Sequence, residues 1–292
     1  MMKTNFHTHT FRCGHAVGDE EAMIKSAIDN GIEILGFSDH IPLPNYRFHI
    51  LKGIPHTLKD FRSFNVAIKT IITNGPSMRM PYHNKKMHIS EVKRLKRKYK
   101  NKISIYQGFE AEYFEEYLDY YQGLLDSKEI DYLILGHHFN KYSVHTCYYG
   151  KLDIIDEEII KYKNDLLKAM DTNLFSYVAH PDLFMIGKKK FDNFCENITQ
   201  EICQKSLEKG IPLEINAGGI RRGLRKVGNE MLYPYPNSHF FEIAGKMKCK
   251  VVLGIDAHNP KDFNDEGFKL LNDFANKYHL NVIDKFEFKT GK

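Results

Sequence analysis

Residues that can bind metal ions recur at short spacings in this sequence of 292 residues. They lie in seven places, each directly after a short apolar run: His7 and His9, Asp39 and His40, Glu110 and Glu112, His137 and His138, His180 and Asp182, Glu214 and Asn216, Asp256 and His258. Residues two apart on a strand point to the same side, so His7 and His9 can reach one ion. Imidazole and carboxylate groups suit zinc, manganese or iron, and the cysteines are not clustered as in a purely structural zinc site.

The number of such residues exceeds the needs of a single ion. A zinc site uses about three or four protein ligands, so about nine imply two or three divalent ions, unless several only orient the others. A single buried histidine is more often a hydrogen-bonding residue than a ligand, but seven coincidences favour metal binding. His15 could still be a bystander. The histidines outside the strand ends are expected to be ordinary surface or loop residues: His49, His56, His83, His88, His145 and His239.

Short apolar segments alternate along the chain with longer segments of helical period, which is typical of repeated strand–helix units. The predicted strands are 4–9, 33–38, 103–109, 132–136, 175–179, 212–216 and 250–255. Such an order indicates a parallel sheet, which closes into a barrel or stays open and doubly wound. A barrel brings all strand carboxyl ends to one face, as the metal-binding residues require, and an open sheet would not. The sequence therefore favours one α/β barrel domain over residues 1–292.

Helices are predicted between the strands. Asp19 is expected to cap a helix that ends at Asp29, and Ser90 to cap a helix over 91–100. Further helices are predicted near 155–170, 192–209, 237–247 and 260–278.

The least regular stretch is 41–88, which contains five of the ten prolines and one helix-like piece around 58–72. It is predicted to be a long excursion over the active face. The lysines and arginines from Lys93 to Lys102 fit the solvated face of an amphipathic helix better than a nucleic-acid site.

The composition suits a globular enzyme of the cytoplasm. Hydrophobic residues make up 42% and charged residues 27%, near the average for such proteins. Five scattered cysteines argue against a disulfide framework and fit a reducing compartment. Signal-peptide features and apolar runs of roughly 18 residues are both lacking, so secretion and membrane insertion are not expected. The net charge of +5 is mild and suits an anionic substrate.

These motifs resemble the PHP (polymerase and histidinol phosphatase) family, and within it the histidinol-phosphate phosphatases. The resemblance runs from Phe6 to about Pro260. Its carriers are Phe6-His-Thr-His-Thr, Gly14-His15, Gly36-Phe-Ser-Asp-His40, Gly108-Phe-Glu-Ala-Glu-Tyr113, Leu135-Gly-His-His-Phe139, Ala179-His-Pro-Asp-Leu183, Leu213-Glu-Ile-Asn-Ala-Gly-Gly-Ile-Arg221 and Gly254-Ile-Asp-Ala-His258. The resemblance implies a distorted (β/α)7 barrel of the TIM-like PHP type with a centre of three metal ions.

The resemblance also implies which residues hold each ion. The ligands would be His7, His9, Glu110 and Asp256 for the first ion, Glu110, His138 and His180 for the second, and His15, His40 and His258 for the third. Glu110 would bridge the first two ions. His138 is preferred to His137 because relatives read Gly-x-His-Phe there, which leaves His137 at the variable position.

Six further residues are predicted to serve the reaction. The catalytic candidates are Asp39, Asp182 and Arg221, and the substrate-binding candidates are Arg221, Arg222, Glu112 and Asn216. Arg221 would clamp the phosphoryl group in a bidentate manner. Asp39 would orient ligands, and Asp182 could pass a proton to the leaving alkoxide. Glu112 would meet a substrate amino group, or else be a surface carboxylate.

The expected activity is metal-dependent hydrolysis of L-histidinol phosphate to L-histidinol and phosphate, by attack of a hydroxide that bridges two ions. The alternative is another small phosphate ester or a nucleotide, because Ala217-Gly218 replaces the Thr-Ser of histidinol phosphatases. A module acting on nucleic acid is disfavoured, since the chain lacks a basic stripe with interleaved aromatics. A third alternative is a metal-binding or structural protein without catalytic turnover, which would have the metal ligands but no open coordination position on the ions. The expected partner is a small phosphorylated substrate, without nucleic acid or membrane; the oligomeric state stays open.

Overall fold

The computed structural model describes residues 2–45, 79–142 and 146–291, together with positions 61, 64, 65 and 68. The helices in these ranges are α1 (Glu20–Asp29), α2 (Lys85–Lys98), α3 (Leu118–Asp126), α4 (Asp156–Asp171), α5 (Asn193–Lys209), α6 (Ala217–Arg221), α7 (Ser238–Lys246) and α8 (Asp265–Lys277). The strands are β1 (Thr4–Asn5), β2 (Ile34–Phe37), β3 (Ser104–Ala111), β4 (Tyr132–Leu135), β5 (Leu213–Asn216), β6 (Arg225–Val227), β7 (Glu230–Leu232), β8 (Lys250–Gly254) and β9 (Asn281–Val282).

Parallel pairing organises the strands. β1, β2, β3 and β4 form a curled sheet in that order, and β5, β8 and β9 form a second parallel sheet. Single parallel bridges connect the two sheets: Leu135 with Val178, Val178 with Leu213, and Thr8 with Ala257. β6 and β7 form a separate antiparallel hairpin. Because the paired strands run in one direction, their carboxyl ends lie on the same side of the molecule.

Most predicted elements are found, within the one or two residues by which helix and strand ends are usually uncertain. The first strand is shorter than predicted and ends at Asn5, and the last helix begins at Asp265 and not near 260. The segment 175–179 differs, because only Val178 makes a strand-type bridge there. Asp19 caps α1 as predicted, and its side chain accepts a hydrogen bond from the Ala22 amide at 2.8 Å. The cap predicted at Ser90 is wrong: α2 begins at Lys85, because the buried face that includes Ile89 extends one turn further toward the amino terminus.

Apolar side chains pack on both sides of the parallel strands. Outside them, the main core joins strands to helices, with α4 against α5 and α5 against α7. A smaller cluster forms among the strands: Phe6, Tyr132, Ile134, Tyr177, Ala179 and Val252, with Ile34, Tyr106, Ile283, Phe286 and Phe288 against it. Within the described ranges, no helix is both long and apolar enough to cross a membrane.

The two described ends of the 41–88 excursion lie near the carboxyl end of β3. The backbone amide of Ile41 donates to the Glu110 carbonyl at 2.8 Å, and the side chain of Arg79 donates to the Ile41 carbonyl at 2.9 Å. The helix-like piece predicted around 58–72 lies largely outside the described residues.

Candidate metal centre

The carboxylate of Glu110 lies at the middle of a group of imidazoles. It is buried at the end of β3, with 1% of the residue exposed. Its Oε2 lies 3.5 Å from His7 Nε2, 3.4 Å from His9 Nε2 and 3.0 Å from His40 Nδ1. Its Oε1 lies 3.0 Å from His180 Nε2 and 3.5 Å from His138 Nε2. One carboxylate thus faces five imidazoles, an arrangement that allows it to bridge two ions.

Asp256 is the second carboxylate of the group and follows β8. Its Oδ1 lies 3.4 Å from His7 Nε2, 3.3 Å from His9 Nε2 and 3.3 Å from His258 Nδ1. His258 Nε2 in turn lies 2.9 Å from His15 Nε2, so His15 joins the same group. All nine predicted ligands therefore converge at the carboxyl ends of the strands.

Two of these residues have backbone conformations that are uncommon outside glycine. Asp256 has a φ of 52° and His180 a φ of 31°. Such conformations persist only where the surrounding structure enforces them, and they concentrate at functional sites.

Many imidazole nitrogens of the group have no hydrogen-bond partner. Among the described residues, these buried nitrogens are His7 Nε2, His9 Nδ1 and Nε2, His40 Nδ1, His138 Nδ1 and His180 Nδ1. A buried polar atom without a partner destabilises a fold by about 1–3 kcal/mol, so a cluster of them indicates side chains held ready for a ligand.

The same side chains fit divalent metal ions. The described residues include sets of three whose ligand atoms lie within 4.8 Å of one another: His7, His9 and Asp256; His7, Glu110 and His180; His40, Glu110 and His138; His9, His40 and His258; and His9, Cys13 and Asp39. Four of these five sets contain only imidazole and carboxylate donors, which suit zinc, manganese and iron.

The charges of the group favour cation binding. Burial raises the pKa of Glu110, but His138, His40 and His7 outweigh burial and hold that pKa well below its usual range. Burial, together with the charge of His258, lowers the pKa of His9 to about 3. Glu110 is thus ionised and His9 neutral, which are the states that metal ligation requires. His7 differs: burial lowers its pKa, but Glu214, Asp256 and Glu110 together raise it well above the ordinary value.

Glu214 supports the group from behind and was missed as a site residue. Its Oε1 lies 2.8 Å from His7 Nδ1, and its Oε2 accepts from the His180 amide at 3.1 Å. A carboxylate on the far nitrogen of an imidazole fixes the ring and its tautomer, here with Nε2 toward Glu110. The available signal was the strand-end position of Glu214, two residues before Asn216. Asn216 donates to Glu214 Oε2 at 2.8 Å and accepts from the Gly218 amide at 2.7 Å.

Two glycines make room for these carboxylates. A Cβ atom at Gly136 would overlap the carboxylate of Glu110, and one at Gly254 would overlap that of Glu214. Both glycines lie at or just after the end of a strand, so the neighbouring strand's side chain can cross over them.

Asp39 is buried and holds the loop after β1. It accepts hydrogen bonds from the Thr10 amide at 2.8 Å and from the Thr10 hydroxyl. Burial raises the pKa of Asp39 to about 6, against the lowering effect of His88. The prediction that His88 is an ordinary surface residue is wrong, because it lies on the inward face of α2. Its Nδ1 lies 2.8 Å from Glu20 Oε1 and its Nε2 3.6 Å from Asp39 Oδ2.

The other described histidines make no contact with Glu110 or Asp256. His137 turns away from the group: its Nε2 lies 3.3 Å from Asp165 and its Nδ1 accepts from the Tyr113 amide. His83 is exposed, and His239 pairs with Glu230 at 2.6 Å near the surface. His49, His56 and His145 lie outside the described residues.

The predicted catalytic and substrate residues have varied surroundings. Asp182 is buried, accepts from the Asn237 amide at 2.5 Å, and has a pKa that burial raises to about 7. Arg221 donates to the carbonyls of Ile255 at 2.8 Å and Asp256 at 2.6 Å, so it holds the backbone that carries a predicted ligand.

Arg222 and Glu112 have different partners and different burial. The guanidinium of Arg222 lies 5.4 Å from the ring centre of Tyr235, at an exposed position. Glu112 is buried and pairs with Arg79 at 2.6 Å. Arg79 was missed in the sequence, where nothing distinguishes it from other basic residues.

Comparisons with known proteins identify a family and several relatives of this chain. The PHP domain family matches residues 5–218. The histidinol-phosphatase of Bacillus subtilis is 25% identical over 289 residues, covering 90% of this chain and 96% of the relative. A "Probable histidinol-phosphatase" of Deinococcus radiodurans is 23% identical over 264 residues, covering 87% and 85%. The structure of histidinol phosphate phosphatase from Lactococcus lactis, complexed with zinc, L-histidinol and phosphate, has a TM-score of 0.67 at 17% identity, over 98% of this chain and 99% of that one.

Proposed function

The chain belongs to the PHP domain family, and from this premise we propose that it is a metal-dependent phosphomonoesterase that hydrolyses L-histidinol phosphate to L-histidinol and phosphate. The observation that carries the proposal is the ring of imidazoles around the buried carboxylate of Glu110. The names of the relatives from Bacillus subtilis and Deinococcus radiodurans support the choice of substrate.

We propose that the group holds two or three divalent ions, with zinc as the first candidate and manganese or iron as the others. The ligand sets predicted in the sequence support this number, because Glu110 lies between His7 on one side and His138 and His180 on the other. The zinc in the Lactococcus lactis structure supports the choice of metal.

The residues of the chain have distinct tasks in such a reaction. Divalent ions supply Lewis acidity and a water that ionises near neutral pH. Glu110 and Asp256 would contribute the negative charge that holds the ions, and Glu214 would keep His7 oriented. Arg221 stabilises the backbone that carries Asp256, and its Nε lies 3.6 Å from Asp262 Oδ1, so a contact with the phosphate stays a prediction. Proton transfer from Asp182 stays a prediction, because its carboxylate is buried against the Asn237 amide.

We also propose that the two parallel sheets close into a distorted (β/α)7 barrel that forms a single domain over 1–292. The bridges from Leu135 to Val178, from Val178 to Leu213 and from Thr8 to Ala257 support this closure. A reducing cytoplasm is the compartment we propose, since all five cysteines are free thiols.

The experiment is a comparison of phosphate esters. The purified protein is loaded with zinc, manganese or iron, and phosphate release is measured from L-histidinol phosphate, sugar phosphates and nucleotides. We expect kcat/KM for L-histidinol phosphate to exceed that for the other esters by about 100-fold, as a site built around specific polar groups allows. A preference for a sugar phosphate or a nucleotide would establish the alternative substrate class. Failure of every metal-loaded form to release phosphate would refute the enzyme itself.

A further inference from the structure

A buried ion pair lies directly behind the metal-binding group. The guanidinium of Arg79 donates to Glu112 Oε1 at 2.6 Å and to the Ile41 carbonyl at 2.9 Å. Both charged residues are almost fully buried, Arg79 with 6% of its surface exposed and Glu112 with 1%. Buried charges persist only when paired, so each partner fixes the position of the other.

Glu112 connects this pair to the metal-binding group through His138. Glu112 Oε1 lies 3.8 Å from His138 Nδ1, while His138 Nε2 on the opposite side of the ring lies 3.5 Å from Glu110 Oε1. Within the described part of the chain, neither His138 Nδ1 nor Glu112 Oε2 has a hydrogen-bond partner. An imidazole that binds a metal through one nitrogen usually donates from the other to a carboxylate. Such contacts are often long without a ligand and shorten when it binds.

Arg79 also contacts the next ligand-bearing segment. The Ile41 carbonyl follows His40 directly, and the Ile41 amide donates to the Glu110 carbonyl at 2.8 Å. One planar guanidinium therefore joins the segment of His40 to the side chain that faces His138. Lysine could keep the charge but could not form both bonds in the same geometry.

We propose that Arg79 is a positioning residue of the metal centre: it orients Glu112, and Glu112 holds His138 in the tautomer whose Nε2 faces Glu110. This inference rests on the proposed function for its meaning in catalysis. It gives Glu112 a task other than the predicted contact with a substrate amino group, because the charge of Glu112 is already balanced by Arg79. It also gives the excursion a direct link to the site, since Arg79 belongs to that segment.

The test uses the 292-residue protein and five variants: Arg79→Lys, Arg79→Met, Glu112→Gln, the double variant Arg79→Met/Glu112→Gln, and Arg94→Met as a matched control. Arg94 is a half-exposed arginine that pairs with Glu91 on α2, away from the centre. Zinc affinity is measured by competition with a chelator in the absence of substrate. In parallel, kcat and KM are measured with L-histidinol phosphate, and the thermal midpoint reports folding.

We expect Arg79→Met and Glu112→Gln each to weaken zinc affinity by about 10–100-fold, the usual effect of losing a partner behind a ligand. kcat should fall while KM changes less than about threefold, because no substrate contact is removed. Arg79→Lys should recover part of the affinity. The double variant Arg79→Met/Glu112→Gln should lose no more than either single variant, since the two residues act as one unit. Arg94→Met should match the original protein.

Three results would overturn the inference. One is unchanged zinc affinity in folded Arg79→Met; should that variant not fold, unchanged affinity in both Arg79→Lys and Glu112→Gln has the same meaning. Another is a rise in KM alone for Glu112→Gln, which would place Glu112 against the substrate. The third is full additivity in the double variant. Because zinc affinity is measured without substrate, loss of the proposed activity on L-histidinol phosphate would leave this test intact.

Discussion

Two buried regions of the molecule hold very different side chains. At the carboxyl ends of the strands, which we call the ligand end, Glu110, Asp256 and seven imidazoles lie together, and several of their nitrogens lack partners among the described residues. In the cluster among the strands, which we call the aromatic end, rings pack edge to face or stacked: Phe6, Tyr106, Tyr132, Tyr177, Phe286 and Phe288. Four of these rings lie on or beside strands that lead to the ligand end, whereas Phe286 and Phe288 come from the segment after β9.

At the aromatic end, the buried hydroxyl of Tyr132 has hydrogen-bond partners. Tyr132 Oη lies 2.9 Å from the carbonyls of Phe6 and Phe37, and its ring stacks on Phe288 at 5.1 Å between ring centres. Aromatic pairs of this kind contribute about 0.5–1.5 kcal/mol each beyond their buried area. The aromatic end therefore stabilises the fold, whereas the ligand end keeps polar atoms unpaired for a ligand. Loss of a side chain should accordingly impair activity at one end and stability at the other.

The largest effect is expected from Glu110→Gln at the ligand end. Loss of the charge that faces five imidazoles should lower kcat/KM for L-histidinol phosphate by about 10³-fold or more, beyond the roughly 10–100-fold caused by losing an outer partner. Steady-state kinetics check this prediction, with the exposed Glu116→Gln as control. Retained turnover with zinc would mean that Glu110 is not central to the reaction.

Glu20 belongs to the polar network behind the ligand end, where its partners are His88 and Arg12. Unlike Glu110, Glu20 is expected to contribute mainly to stability. Burial raises the pKa of Glu20, but hydrogen bonds from His88 and Arg12 outweigh burial and lower it to about 2. A carboxylate with a lowered pKa contributes stability above its unfolded pKa of 4.5 and loses it as the pH falls from there through about 2. This contribution is on the order of 3 kcal/mol.

Glu20→Gln should therefore lower the free energy of unfolding at pH 7, and the gap to the original protein should narrow below about pH 4.5. Urea unfolding at several pH values measures the gap, with the exposed Glu287→Gln as control. A gap that does not depend on pH would show that the partners of Glu20 act by packing and not by charge.

The smallest effect is expected from Phe288→Ala at the aromatic end. The ring contacts Phe6, Tyr106 and Tyr132 but is only partly buried, so the free energy of unfolding should fall by about 2 kcal/mol, less than the value for a fully buried ring. Zinc affinity should stay unchanged. Urea unfolding and chelator competition measure the two quantities, and Leu152→Ala, at an exposed site, is the control. A clear loss of zinc affinity would indicate that the aromatic end also holds the metal ligands in place.

Sequence alone was sufficient for the features that depend on local pattern. Strands show as short apolar runs, and the chemistry at their ends is visible without a fold, so eight of the nine candidate ligands could be named from their positions. His15, and the choice of His138 over His137, came from the family resemblance. Their convergence follows from a general property of parallel strands, whose carboxyl ends share one side. The predicted α/β class and most helices were equally accessible, because helical period and capping residues such as Asp19 are local signals.

Only the tertiary structure decided which atom faces which. Glu214, His88 and Arg79 support the centre through contacts with residues 207, 68 and 33 positions away, and no local pattern encodes such distances. His137 and His138 are neighbours in sequence but face different partners. The His137 ring lies against Asp165, away from the metal-binding group, and the His138 ring lies between Glu112 and Glu110. Burial and charge partners depend on the whole fold, so the residues that support the ligands could not be predicted from the sequence alone.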